Sequence, residues 1–149
     1  LIRKCAFDQN EIELISPADY LDRHPIRQLQ NPNPSPWGSE GHNLVWLNGG
    51  NSWIYRHQHW AEGQYENLFR QFHAGTELQK RVLRQLKREL LLLQSSDWAF
   101  ILTTGTTVPY ATRRFREHVK RFETLSNQLT GSQIDIASLS SFESRDCIF

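Results

Sequence analysis

The sequence has no methionine, only two cysteines and no long apolar run. Because it lacks an initiator and starts in mid-pattern at Leu1, we interpret it as a piece of a longer protein; the alternative is a mature chain whose initiator was removed. Cys5 and Cys147 lie near opposite ends, outside any metal-ligand spacing, which favours reduced thiols in a cytoplasmic protein over a disulfide framework. The longest apolar runs, 90–93 and 99–102, are too short to span a membrane.

Net charge is small as well: 17 Lys and Arg residues are balanced by 16 Asp and Glu residues, for a formal charge of +1. This balance predicts neither a nucleic-acid partner nor a membrane surface. One late cluster of cations is interleaved with Glu117 and Glu123, which favours the solvated face of a helix over a nucleic-acid patch. The cluster consists of Arg113, Arg114, Arg116, Lys120 and Arg121.

The apolar content is sufficient for one globular core: 38% of the 149 residues are hydrophobic, including five Trp and eight Phe. From Asn51 onward, apolar residues recur at intervals of three and four, the period of an amphipathic helix. The first long helix is predicted to have Asn51 as its cap and to run to about His73, with Gly75 as a left-handed stop. Gly63 inside this helix suggests close packing there.

Two further long helices follow. A capping box at 76–79 starts the second, whose leucine-rich stripe continues to Leu93. The third starts near Val108, has Pro109 in its first turn and stops at Gly131.

The remaining elements are short. Residues 98–102 are predicted as a buried apolar turn before a break at Gly105, and 136–143 as a last short helix. The fold class is therefore all-α: a bundle of three long helices with short satellite helices and one long Trp-bearing loop.

Two elements are predicted before the loop. The alternation at 11–15 indicates a short strand, although no second strand lies nearby to pair with it. Ser16 is expected to cap a short helix with Pro17 at its first position and with Tyr20 and Leu21 on its inner side.

Residues 25–50 form the long loop, which holds four prolines and four glycines. Long ordered loops in compact domains are often functional. Trp37 and Trp46 lie nine residues apart in this loop, and leaving an indole in water is costly. The two rings are therefore either core anchors or a platform for something flat with an apolar face, such as a sugar ring.

No complete active site is evident from the residues alone. His57 and His118 fall on apolar stripes and are interpreted as satisfied core histidines. Glu40 is the only loop carboxylate, whereas glycoside chemistry needs two. Asp97 lies between apolar stretches and must be paired, capping a helix or facing a cleft; we favour the cap. No metal and no cofactor is expected.

Several motifs nevertheless occur together in order. They are Ser-x-Trp-Gly-x-x-Gly with a second Trp at 35–46, Asn-x-Trp-Ile-Tyr-Arg-His at 51–57, Glu-Leu-Leu-Leu-x-Gln-Ser-Ser-Asp-Trp-Ala-Phe at 89–100, Thr-Gly-Thr at 104–106 and Arg-Arg-Phe-Arg-Glu-His at 113–118. In these motifs the chain resembles the C-terminal part of the α-1,4-glucan branching enzymes of glycoside hydrolase family 57. The resemblance covers roughly residues 10–149.

The resemblance implies a retaining enzyme that cuts an α-1,4 bond and passes the cut chain to a 6-hydroxyl. The catalytic Glu and Asp of that family lie on an incomplete β/α barrel that this sequence lacks, so the piece alone is expected to be inactive. Residues 1–24 would then be a remnant of the last barrel segment with a linker, and 25–149 the helical domain, with loop 32–50 facing the glucan.

Substrate contacts are also implied by the resemblance. Trp37 and Trp46 correspond to two tryptophans that line the family's glucan cleft, and Asp97 and Trp98 match its Ser-Ser-Asp-Trp stretch. The expected partners are α-glucans such as glycogen or amylose-like chains and the missing barrel. The alternatives are a stand-alone carbohydrate-binding or helical interaction module, and part of a family 57 amylase or 4-α-glucanotransferase.

Overall fold

The computed structural model describes residues 1–26, 28–38 and 41–147. The chain divides into two compact units, Leu1–Ser35 and Pro36–Phe149. Within the described residues there is no strand, which confirms the predicted all-α class. The elements are α1 (Ile2–Ala6), α2 (Pro17–Arg23), a 3-10 helix (Asn43–Val45), α3 (Trp53–Phe72), α4 (Glu77–Leu93), α5 (Ser96–Thr104), α6 (Val108–Thr130) and α7 (Ile136–Arg145).

In the first unit, the predicted strand at 11–15 is wrong, because a side chain takes the place of a partner strand. The Gln9 carboxamide oxygen accepts from the backbone N–H groups of Glu11 and Ile12, both at 2.7 Å. Its nitrogen donates to the carbonyls of Cys5 and Ile12, again at 2.7 Å. These bonds satisfy the backbone of Glu11 and Ile12, the start of the predicted strand, without a sheet. The assignment of 1–24 to a barrel stays a prediction.

Helix α2 begins as its sequence predicts. The Ser16 hydroxyl accepts from the backbone N–H of Asp19 at 3.2 Å, and Pro17 occupies the first position. The prediction that Tyr20 and Leu21 face inward is wrong, since both side chains are exposed.

The second unit is built around the three long helices, with α3, α4 and α6 packed against one another. Helix α5 packs on α6 and on the 3-10 helix, and α7 packs on α4. The apolar stripes that have the helical period supply the core. Its fully buried apolar members include Ile54, Val82, Leu86, Leu93, Phe115, Phe122, Leu125 and Leu129.

The helix ends follow the sequence in part. The capping box is confirmed: the Thr76 hydroxyl accepts from Gln79 N–H, and the Gln79 side chain accepts from Thr76 N–H. Gly105 ends α5 with a φ of +76°. The left-handed stop at Gly75 is wrong; a Cβ there would instead collide with the Gln79 side chain. No described atom approaches Gly63, so close packing there is also wrong.

The predicted solvated face of α6 needs one correction. Arg121 is buried, and its Nε lies 3.1 Å from each carboxylate oxygen of the buried Glu89 on α4. Arg114 and Arg121 also donate to the two oxygens of Asp146, at 2.7 and 3.1 Å. These two cations join the end of α7 to α6; Arg121 is buried and Arg114 is half-buried.

The buried ion cluster includes His118. Its Nδ1 lies 2.7 Å from Glu89 Oε2 and 2.9 Å from Arg121 Nη2. Its Nε2 is buried and has no hydrogen-bond partner in the described part of the chain. The prediction of a core histidine is therefore correct in position, but only one of the two ring nitrogens is satisfied.

Candidate functional site

Two rings of the predicted loop and one ring of α5 form a cluster, which we call the aromatic platform: Trp37, Trp46 and Phe100. The ring centroids of Trp37 lie 5.7 Å from those of Trp46 and 5.8 Å from those of Phe100, at angles near 45°. Trp46 and Phe100 are 6.4 Å apart. Trp37 is 68% exposed, while the other two rings are half-buried beneath it. One indole is therefore held at the surface by two supporting rings.

Hydrogen bonds fix the position of both tryptophans. The Trp46 Nε1–H donates to the Trp37 carbonyl at 2.7 Å, which closes the nine-residue segment between them. The Tyr55 hydroxyl on α3 donates to the Trp46 carbonyl, and burial raises the pKa of Tyr55, so the phenol keeps its proton. The platform is therefore tied to a long helix of the bundle.

Glycine is required at two points of this segment. A Cβ on Gly38 would collide with the His42 carbonyl, so the chain can turn back only without a side chain there. Gly41 has a φ of +75°, a conformation that strains other residues. Ser39 and the predicted loop carboxylate Glu40 lie outside the described residues.

Below the platform, Asn51 connects the loop to α5. This side chain is fully buried, and its oxygen accepts from Asn48 N–H at 2.8 Å. Its nitrogen lies 3.0 Å from Thr103 Oγ1, 3.2 Å from the Val45 carbonyl and 3.4 Å from the Ala99 carbonyl. Asn51 was predicted to cap α3, but the residue before that helix is Ser52, and Asn51 is instead the buried support of the loop.

A second amide repeats this connection. Asn48 Nδ2 donates to the Leu44 carbonyl at 2.8 Å and to Thr103 Oγ1 at 2.9 Å. Thr103 in turn donates to the Val45 carbonyl at 2.8 Å. Together these bonds hold the 3-10 helix of the loop against the last turn of α5.

An open concavity of about 340 Å³ lies beside the exposed indole. Pro36, Trp37, Gly38 and Val45 line it, so its walls are apolar apart from backbone groups. Such a surface suits the C–H face of a sugar ring, which buries apolar area on an aromatic face without requiring a charge.

The two predicted residues on α5 are placed differently. Asp97 is exposed in the first turn, where its carboxylate accepts from Ser95 Oγ at 3.1 Å. It makes no cap to the backbone, so the favoured cap is wrong, although its charge suits a helix N-terminus. Trp98 is only 8% exposed, and its Nε1–H donates to the Leu92 carbonyl at 2.8 Å. It lies in the core beside His118, and its substrate contact stays a prediction.

Sequence reasoning missed Phe100, Tyr55 and Thr103. Phe100 lies two positions from Trp98, and residues at that spacing point to different sides of a helix. Burial of Trp98 therefore turns Phe100 toward the loop. This was the one signal that could have identified the third ring.

His57 is half-buried on α3, with its ring against Trp53 and Phe115. Burial, followed by the charges of Arg56 and Arg116, lowers its pKa. Among the described residues no group of three His, Cys, Asp or Glu side chains could hold a metal ion. None of the helices in the described ranges is long and apolar enough to cross a membrane.

The family model for "1,4-alpha-glucan branching enzyme, C-terminal" matches residues 57–149. The chain is 36% identical over 123 residues to the 1,4-alpha-glucan branching enzyme TK1436 of Thermococcus kodakarensis, a match that covers 80% of this chain and 18% of that protein.

Solved structures agree with this match. The GH57 branching enzyme TK1436, crystallised with glucose and additives, is similar with a TM-score of 0.82 and 31% identity over 91% of this chain and 26% of that one. The GH57-type branching enzyme of Pyrococcus horikoshii is similar with a TM-score of 0.79 and 30% identity, over 93% of this chain and 27% of that one.

The α-amylase AmyC of Thermotoga maritima is also similar, with a TM-score of 0.71 and 36% identity over 95% of this chain and 26% of that one. The chain thus spans about a fifth to a quarter of the length of these relatives. Because the family model matches more than half of its residues, the chain belongs to the family of C-terminal domains of 1,4-α-glucan branching enzymes.

Proposed function

We propose that this chain is the helical C-terminal domain of a family 57 branching enzyme and that its aromatic platform binds α-glucan, such as glycogen or amylose-like chains. The catalytic Glu and Asp belong to a barrel domain outside this sequence, and the barrel is the chain's main partner. Family membership supports the proposal, as does the small share of the relatives that the chain covers.

One observation carries the glucan-binding role: Trp37 is 68% exposed and yet held in place by two rings and a hydrogen bond to its carbonyl. An indole that served only as part of the core would be buried more deeply than Trp37 is. A fixed ring loses little conformational freedom when a ligand stacks on it, so pre-organisation favours binding. Stacking is also tolerant of position, which suits a polymer that shifts along its site.

The platform has a second proposed role in transfer. A retaining transferase must keep water away from its glycosyl-enzyme until the acceptor arrives. An apolar wall over the cleft would exclude that water and hold the acceptor chain. Asp97 is proposed as an exposed acceptor for sugar hydroxyls at the edge of this wall, whereas Trp98 supports α5 from the core.

The binding role can be tested on the chain itself by titration with maltoheptaose, followed by calorimetry and by the indole N–H signals in nuclear magnetic resonance. As a single wall, the chain is expected to bind with a Kd near 1 mM. Trp37→Ala should abolish the part of that binding that shifts signals around the platform, and Trp60→Ala, which removes a 40% exposed tryptophan of α3, should leave it unchanged. Unchanged binding by Trp37→Ala would contradict the proposal.

The same titration separates the proposal from a stand-alone carbohydrate-binding module. A module that acts alone must bind tightly by itself, with a Kd of about 1 μM or below. A domain that forms only one side of a cleft shared with the barrel can bind weakly by itself. Tight binding by the isolated chain would therefore favour the module.

The similarity to AmyC supports a second candidate, the C-terminal domain of a family 57 amylase. A chimera can distinguish the two, with this chain replacing the matching part of TK1436. If the domain belongs to a branching enzyme, the chimera should form α-1,6 linkages from amylose, and Trp37→Ala should lower that transfer. Hydrolysis without new α-1,6 linkages would favour the amylase.

A further inference from the structure

A second groove lies at the other end of the bundle, between the last turns of α3 and the first turns of α4. Its volume is about 300 Å³. On the α3 side Tyr65, Phe69 and His73 follow one another at intervals of four residues, so they share one face of the helix. We call these three rings the ladder. Leu83, which is only 4% exposed, lies at the α4 side of the groove.

The ladder is ordered and accessible. The centroids of Tyr65 and Phe69 are 6.1 Å apart with planes at 31°, and those of Phe69 and His73 are 5.4 Å apart at 25°. His73 Nδ1 lies 2.9 Å from the Phe69 carbonyl, which fixes the last ring. Phe69 in the middle is 48% exposed. Eight residues of α-helix make this row about 12 Å long.

The opposite wall is cationic. Lys80, Arg84 and Lys87 of α4 line it, and each of these side chains carries N–H donors. Lys80 already lies 2.9 Å from the Glu77 carboxylate, and a hydrogen bond from Lys80, with the charges of Lys80 and Arg84, lowers the pKa of Glu77. Part of the positive charge is thus compensated, so an acidic ligand gains less here than the three cations alone suggest.

We infer that this groove is a second α-glucan contact site, an inference that rests on the proposed function. The three rings overlap in an offset row, so a sugar chain along the groove meets their apolar edges and the uncovered parts of their faces. Lysine and arginine N–H groups can donate to sugar hydroxyls. No step of chemistry is assigned to the groove: it holds the polymer.

The two sites lie at opposite ends of α3. Tyr55, which holds the platform, precedes Phe69 by 14 residues, or about 21 Å along the helix. A glucan that reaches both sites binds the second one intramolecularly, so its affinity exceeds that of either site alone. Glycogen and amylose should therefore bind more tightly, per chain end, than maltoheptaose.

The test is a titration of the ¹⁵N-labelled chain with maltoheptaose, read by nuclear magnetic resonance. Two separate groups of amide shifts are expected, one around Trp37 and one around Phe69. Shifts around Trp37 alone would overturn this inference and leave the proposed function intact. Shifts around Phe69 alone would overturn the proposed role of the platform and support the groove as a glucan site. The absence of shifts at both places would overturn the proposed function and this inference.

Substitution supplies a second readout. Phe69→Ala should lower affinity for glycogen in native gels about tenfold or more and leave maltoheptaose shifts around Trp37 unchanged. Tyr110→Ala, which removes a 47% exposed ring of α6 outside the groove, is the matched control and should change neither. Equal glycogen affinity in the two variants would overturn the inference.

An acidic partner is the competing occupant. Poly-L-glutamate used as a probe should not shift the Phe69 group at 150 mM salt. If poly-L-glutamate shifts the amide signals around Phe69 and maltoheptaose does not, the groove is a docking site for an acidic segment and the glucan inference fails. Loss of the poly-L-glutamate shifts at high salt would identify that alternative, because neutral sugar binding is insensitive to screening.

Discussion

Replacing Asn51 with alanine should release the Trp-bearing loop while the bundle stays folded. The side chain is fully buried at the boundary between the loop and α3. It accepts one hydrogen bond from Asn48, and its two N–H groups are shared among Thr103, Val45 and Ala99. The substitution removes all of these bonds, while Thr103 and Val45 keep the bond between them.

The magnitude follows from the number of bonds. One accepted and two donated hydrogen bonds, at about 1 kcal/mol each, amount to about 3 kcal/mol of unfolding free energy. In a chain of this size each kcal/mol shifts Tm by about 2–4 °C, so Asn51→Ala should lower Tm by about 6–12 °C. Asn51→Asp keeps the bond from Asn48 but turns an oxygen toward the carbonyls of Val45 and Ala99, so it should destabilise the chain at least as much.

Two measurements check this prediction. Thermal melting followed by circular dichroism gives the change in Tm, and hydrogen exchange reports on the amides of 43–50. Exchange there should accelerate in Asn51→Ala before the bundle melts. Asn67→Ala on the exposed side of α3 is the control and should stay within about 2 °C of the parent chain.

The reasoning would be refuted if Asn51→Ala melted within 2 °C of the parent chain and exchange at 43–50 did not change. The loop would then be held by the aromatic rings, and the buried amide would be incidental. A drop in Tm without faster exchange in the loop would show instead that Asn51 stabilises the bundle and not the platform.

Two further predictions concern the core and the C-terminal helix. Trp98→Ala should cost about 3–5 kcal/mol of unfolding free energy, seen as a lower Tm, because this indole is buried; a loss below 1 kcal/mol would contradict its core role. Burial would raise the pKa of Asp146, but the hydrogen bond and charge of Arg114 outweigh it and lower that pKa. Its stabilising effect is therefore complete above the unfolded pKa of about 4 and is lost as pH falls through the lower folded value. Hydrogen exchange in 136–145 should accelerate in that acid range in the parent chain but show no such pH step in Asp146→Asn, and identical profiles would contradict the prediction.

Much of the fold could be predicted because its determinants are local. The three long helices follow from apolar spacing, and the Thr76 capping box and the break at Gly105 depend on residues within one turn. The predicted strand at 11–15 failed although its alternation was genuine. The side chain of Gln9, two residues earlier, accepts hydrogen bonds from the backbone N–H groups of Glu11 and Ile12. An alternating pattern of polar and apolar residues does not reveal that a side chain competes with a partner strand.

The candidate site could be predicted only in part. The exposed Trp37 and half-buried Trp46 were identified, but their supports lie far away in sequence. Asn51 bonds to Thr103, 52 residues later, and no local pattern reveals that pairing. Asn51 fits the pattern of a helix cap, but asparagine is suited both to a cap and to a buried support of a loop. Only tertiary structure distinguishes them.

The ladder shows a different limit of sequence patterns. Phe69 lies next to the buried Leu68 on α3, so an apolar stripe widened by one residue looks like ordinary core. Its exposure depends on α4, which places cations rather than a second apolar stripe opposite it. The ladder is therefore exposed because the apolar face of α3 extends past the part that α4 covers. The same logic applies to Trp37: in both places an aromatic face is left uncovered by the chain's own packing while its neighbours hold it rigid. Because rigidity without burial does little for folding, we propose ligand binding for both surfaces.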